Sequence, residues 1–154
     1  MPIPPTWEGR LREDWEFLLV PYLIERGAQS VAVVGTCFGS YVVTHTSGDS
    51  MGLVKAGVGI HPSHPELMLM AGEDEATVYS TIRSPQYFMA TPDSWDSVRP
   101  GGLASQVIER TVFDEYTDPC GHGFFNRGDL TDPTVAACVD QAWQHLTHFL
   151  LGNL

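Results

Sequence analysis

Cys37 is the residue around which chemistry could be built. It stands in Gly35-Thr36-Cys37-Phe38-Gly39, a G-x-nucleophile-x-G turn with cysteine where serine is commoner. Such a turn holds its nucleophile in a strained backbone conformation. Side chains at either flanking glycine are expected to collide with the adjoining strand and helix. The turn lifts the sulfur out at the carboxyl edge of a sheet and sets it at a helix N-terminus, where the helix dipole favours an anion. The backbone N–H of Phe38 is then one oxyanion-hole donor.

A thiol nucleophile needs a base, and the base needs a carboxylate to orient it. Asp74 and His122 follow Cys37 in the order nucleophile, acid, histidine, which is the order used by hydrolases built on such a turn. Blander roles stand beside these. Cys37 could be a small buried cysteine, Asp74 a solvated loop acid between Glu73 and Glu75, and His122 a turn residue between Gly121 and Gly123.

The elements that must position these groups are legible in outline. From Leu11 to Ile24, apolar Leu11, Trp15, Leu18 and Tyr22 recur at helical spacing; Pro21 bends or restarts the helix, and Gly27 caps it. Ser30-Val31-Ala32-Val33-Val34 reads as a buried parallel strand, and a helix runs from near Gly39 to near Gly48. Leu53 to Ile60 is a second strand, weakened by Gly57 and Gly59. Glu66 to Ala71 is a third, ending just before Asp74. Pro85 to Gly102 reads as a long surface loop, and Gln106 to Phe113 as a fourth strand. Asp132-Pro133 opens a last helix, with Val135, Val139, Ala142, Trp143, Leu146, Phe149 and Leu150 on one stripe. Strands alternating with helices predict an α/β domain: one parallel sheet with helices on both faces, spanning residues 1–154.

The net charge of −11 argues against nucleic acid or an anionic membrane as partner, since both select clustered Lys and Arg. No apolar run approaches the roughly 20 residues that span a bilayer, and Met1 to Thr6 lacks the basic and apolar regions of a signal peptide. Cys37, Cys120 and Cys138 are odd in number and widely spaced, so neither a disulfide framework nor a zinc ribbon is expected. A reducing, cytoplasmic setting fits these features.

Three segments together resemble the dienelactone hydrolase family: Gly35 to Gly39, the Ala71-Gly72-Glu73-Asp74 turn, and Gly121-His122-Gly123-Phe124-Phe125-Asn126-Arg127-Gly128-Asp129. His61-Pro62-Ser63 after the second strand adds to the likeness, which covers nearly the whole chain. The resemblance implies an α/β-hydrolase fold and cofactor-free opening of a lactone or ester. In it Cys37 is nucleophile, His122 general base and Asp74 its orienter. It also implies that Arg127 meets a substrate carboxylate, against the alternative of a salt bridge to Asp129 or Asp132. Members of that family carry further strands ahead of the elbow, which supply the second oxyanion donor. Here the elbow strand is expected to show an unpaired edge, through which a homo-oligomer could form.

Three rival readings remain. His64-Pro65-Glu66 matches a motif of class I glutamine amidotransferases, but only one strand separates it from the elbow. Cys37, Cys120, His122, His61 and His64 could form a metal site, although Cys120-x-His122 is tighter than structural zinc prefers. The third is a degenerate binding or assembly module that keeps the elbow only as structure.

Overall fold

A computed structural model of the chain describes residues 5–48 and 51–154. Four strands, β1 (Val31–Thr36), β2 (Val54–Ile60), β3 (Gln86–Ala90) and β4 (Thr111–Glu115), form one parallel sheet in the order β1-β2-β3-β4. Residues 7–25 form one helical rod, α1, which mixes π-type and α-type turns and carries Pro21 near the start of its last segment. Then come α2 (Gly39–Thr46), α3 (His64–Ala71), α4 (Glu75–Thr81), α5 (Leu103–Val107), α6 (Phe124–Arg127) and α7 (Pro133–Leu151). No helix among the described residues is long and apolar enough to cross a membrane.

Strand alternation divides the core. Ala56, Val58 and Ile60 of β2, with Tyr87 and Met89 of β3, face α7, which buries Val139, Ala142, Leu146 and Phe149 against them. The opposite face carries α1 to α5, with Tyr41, Met68, Tyr79 and Ala104 gathered around Phe88. Gly57 and Gly59, which seem to weaken a strand in the sequence, are flat spots for this second layer. A Cβ at Gly57 would lie 2.6 Å from Ser47 Oγ of the α2 C-terminus and 2.4 Å from Gln86 Oε1. Glycine there lets helix and sheet close on each other.

Several expectations are corrected. Glu66 to Ala71 is not a strand but most of α3, started by Pro65 and stopped by Gly72 in the left-handed conformation (φ 71°). Both are standard helix punctuation, and the apolar run Leu67 to Met70 masked it. The segment read as one long loop contains β3, whose five residues are all buried. Gln106 to Phe113 splits into the end of α5 and the start of β4. Cys120 and Cys138 form a disulfide. That overturns the expectation that all three cysteines stand apart, and it weighs against a reducing compartment.

His64 and His61 give the fold a dependence on pH. His64 is fully buried; its Nε2 lies 2.9 Å from Tyr79 Oη, which itself donates to Glu75 Oε1 at 3.0 Å, so His64 is the donor in the first contact. Burial pushes its pKa down to about 3, and that of His61 down to about 4. Both therefore fold as neutral imidazoles. Below the unfolded value of 6.5 the unfolded chain takes the proton first, so stability is complete above that pH. It is lost as pH falls toward the folded values, at up to about 1.4 kcal/mol per pH unit for each histidine. We expect the melting temperature to fall steadily from pH 6.5 to pH 4, and His64→Phe to flatten that slope. An unchanged slope in the variant would contradict a buried neutral His64.

Candidate active site

The elbow forms as its residue types require. Cys37 has φ 52°, a left-handed conformation for a side-chain-bearing residue, and its N–H donates to Ile60 O at 3.0 Å. The turn is tied down from behind: Ser40 Oγ donates to Cys37 O at 2.6 Å and accepts from Ser63 N–H at 3.1 Å. Only one of the two motif glycines is sterically compelled. A Cβ at Gly35 would lie 2.3 Å from both C and O of Gly39, whereas one at Gly39 would meet nothing within 4 Å. The Cys37 thiol is partly exposed, and its hydrogen-bond partner among the described residues is Ser63 Oγ at 3.6 Å. Phe38 N–H makes no backbone hydrogen bond among the described residues and lies at the open end of α2.

His122 sits in the segment between β4 and α6, which the Cys120–Cys138 bridge fastens to α7. Its Nδ1 lies 3.1 Å from Asp93 Oδ2. Asp93 follows β3, in the Thr91-Pro92-Asp93-Ser94 turn, where Thr91 N–H donates to Ser94 Oγ at 2.9 Å and Thr91 Oγ1 donates to Asp93 Oδ1 at 2.8 Å. The contact is an ion pair if His122 is protonated, and Asp93 is the carboxylate that faces its Nδ1.

Asp74 is not brought to His122. It is the N-cap of α4, where it accepts from Thr77 N–H at 2.8 Å and from Thr77 Oγ1 at 2.6 Å. Those bonds hold its carboxyl below the usual range, which suits an exposed cap. Sequence reasoning missed Asp93 because it missed β3. A Thr-Pro-Asp-Ser turn just beyond a short apolar run was the signal available.

His61, at the end of β2, packs its ring against His122 with centroids 4.6 Å apart and against Phe124 at 6.3 Å. His64 lies instead in the core beside Tyr79 and Phe88, so neither of its rival roles is supported. Among the described residues no group of three or more metal-ligating side chains converges, and Cys120 is committed to its disulfide. Arg127 lies over the Gly123 backbone, its Nη2 2.9 Å from where a Cβ would stand, and lines a cleft of about 650 Å³ with His122 and Phe124. It makes no ion pair among the described residues. Asp129 is engaged with Thr131 N–H at 2.9 Å and Oγ1 at 2.6 Å, and Asp132 caps α7 through Thr134 N–H at 2.7 Å.

Three parallel strands thus lead into a thiol, a buried imidazole and a carboxylate at one sheet edge, and a bridged loop brings a second imidazole against His61 and Asp93, while the thiol's contact among the described residues is Ser63 Oγ. Comparison with known proteins agrees with this architecture. The sequence profile of the dienelactone hydrolase family matches residues 16–153. No curated protein sequence matches the chain. A crystal structure from Thermoplasma acidophilum, described as a predicted CIB-like hydrolase, superposes with a TM-score of 0.56 at 17% identity. The match covers 88% of this chain and 60% of that one.

Proposed function

The chain belongs to the dienelactone hydrolase family, and from that premise we propose that it hydrolyses small lactones or activated esters through a thioester on Cys37. Cys37 gives its thiol proton to His122 as its sulfur attacks the carbonyl, and Phe38 N–H holds the oxyanion that forms. His122 passes a proton to the departing alkoxide as the carbon–oxygen bond breaks. Water, deprotonated by His122, then cleaves the thioester and returns the thiol. Asp93, in place of Asp74, keeps His122 in the productive tautomer. The carrying observation is the His122–Asp93 contact at 3.1 Å, with His122 packed on His61, the residue that neighbours the strained Cys37 across the β1–β2 register. The reaction needs no cofactor, and its partner is a small molecule rather than nucleic acid or membrane.

Arg127 extends the reading to substrate choice. A guanidinium with no ion pair among the described residues, in a cleft shared with His122, suits an ester that carries a carboxylate. Mass spectrometry of protein mixed with a nitrophenyl ester should find an acyl group on Cys37 and none on Cys37→Ala. Arg127→Gln should raise KM about 10-fold or more for a carboxylate-bearing ester and leave a neutral one unchanged. Full turnover by Cys37→Ala would exclude the mechanism.

One observation favours the second reading, an assembly module. Among the described residues β1 pairs with β2 alone, so its outer edge can accept a strand from a second copy.

A further inference from the structure

Among the described residues, two that carry side chains have a positive φ: Cys37 at 52° and His61 at 38°. They are neighbours in the sheet. Thr36 and Ile60 are register partners at the ends of β1 and β2, and Cys37 and His61 are the next residue on each. Left-handed backbone is uncommon for residues that carry a side chain; it costs glycine least, and asparagine, aspartate and histidine are the types it tolerates best. The fixed backbone contact at this turn is His61 N–H donating to Met89 O at 2.9 Å, which any residue except proline could make. The backbone therefore accepts a histidine without requiring one.

The side chain adds a second cost. The His61 ring is fully buried, and neither nitrogen has a hydrogen bond of normal geometry; the Asn126 amide acts on it without forming one. A buried imidazole without partners is unfavourable relative to an apolar ring of similar shape. Burial, reinforced by its neighbours His122 and Arg127, keeps it neutral down to about pH 4.

Strain and an unmet polar group coincide where one face of the ring meets His122, at 4.6 Å between centroids and a 56° tilt. Such costs concentrate at functional sites. We propose that His61 is a positioning residue: its ring is the wall that holds His122 in line between Asp93 and Cys37, at the expense of a relaxed β2 turn. Its nitrogens sit out of contact with the cleft, so it acts through His122 and not on substrate. The proposal rests on the reading of Cys37, His122 and Asp93 as the reacting set.

Two substitutions separate the ring's role from the backbone's. His61→Asn accepts the left-handed turn and removes the wall; His61→Phe keeps a ring there and removes the nitrogens. Melting temperature, kcat and KM on a nitrophenyl ester, and the rate of Cys37 alkylation by iodoacetamide are measured for each and for the wild type. The expected result is that His61→Asn, which leaves a cavity and a buried amide, melts lower than wild type but, where folded, loses about 100-fold in kcat with KM within about 2-fold, and alkylates more slowly. His61→Phe should recover kcat to within about 10-fold of wild type. The proposal is overturned if His61→Asn keeps wild-type kcat, if His61→Phe is no better than a folded His61→Asn, or, should His61→Asn not fold, if His61→Phe loses more than about 10-fold in kcat. Failure of the underlying reading shows separately, as Cys37→Ala or His122→Asn turning over at the wild-type rate.

Discussion

Asp93→Asn should lower kcat for ester hydrolysis by about 10³- to 10⁴-fold, while Asp74→Asn leaves it within about 2-fold of wild type. Asp74 precedes α4 and Asp93 follows β3, so both lie between Cys37 and His122, and either fits the order nucleophile, acid, histidine. Their surroundings differ. Asp93 lies 3.1 Å from His122 Nδ1, while both contacts of Asp74 go to Thr77. An asparagine at position 93 would present an amide that can donate to Nδ1, favouring the tautomer with its proton on Nε2, where the lone pair is needed. An asparagine at position 74 caps a helix as well as aspartate does. Steady-state kinetics on one ester with all three proteins decides the matter. Equal loss in both variants, or a larger loss in Asp74→Asn, would return Asp74 to the site and remove Asp93 from it.

Gly35→Ala should be the most damaging single methyl group near the site. Its Cβ would stand 2.3 Å from Gly39 C and O and 2.9 Å from Ser40 N, all backbone atoms of the first turn of α2. No side-chain rotation relieves such contacts, so the helix start itself must move away from β1. Overpacking of this kind costs about 3 kcal/mol or more. It also takes Cys37 out of register with Ser63 and Ile60. Gly39→Ala meets nothing within 4 Å and exchanges a poor helix former for a good one, so it should be neutral or stabilising by up to about 1 kcal/mol. Urea unfolding of the pair measures the difference directly. A Gly35→Ala midpoint equal to wild type would mean that the elbow can relax in a way its backbone contacts do not allow.

The elbow was readable from sequence because its constraints are local. A β-branched run, a glycine that must lack a side chain and a following amphipathic helix all lie within about 17 residues of one another, at Ser30 to Thr46. His122 was readable for the same reason, as a histidine between two turn glycines. What failed depended on tertiary context. Met68 is buried but Leu69 and Met70 are exposed, so the apolar run Leu67 to Met70 has no single buried face and mimics a strand. Gln86 to Ala90 mixes polar and apolar residues, yet the sheet buries all five, because β2 and β4 flank it and helices cover both its faces. Missing that one strand left Asp93, the carboxylate that contacts His122, out of the sequence reading. The Cys120–Cys138 bridge was equally out of reach, since it depends on where α7 packs.

That bridge also alters what a break in the backbone would mean. Cys120 and Cys138, 18 residues apart, close a covalent ring that contains His122, α6 and the exposed Leu130 turn. A protease cutting that turn would yield two polypeptides still joined beside His122, with the whole of α7 on the C-terminal piece. Continuity of the peptide chain and covalent integrity are therefore separable here. Nicked at this exposed turn, the protein would remain one molecule.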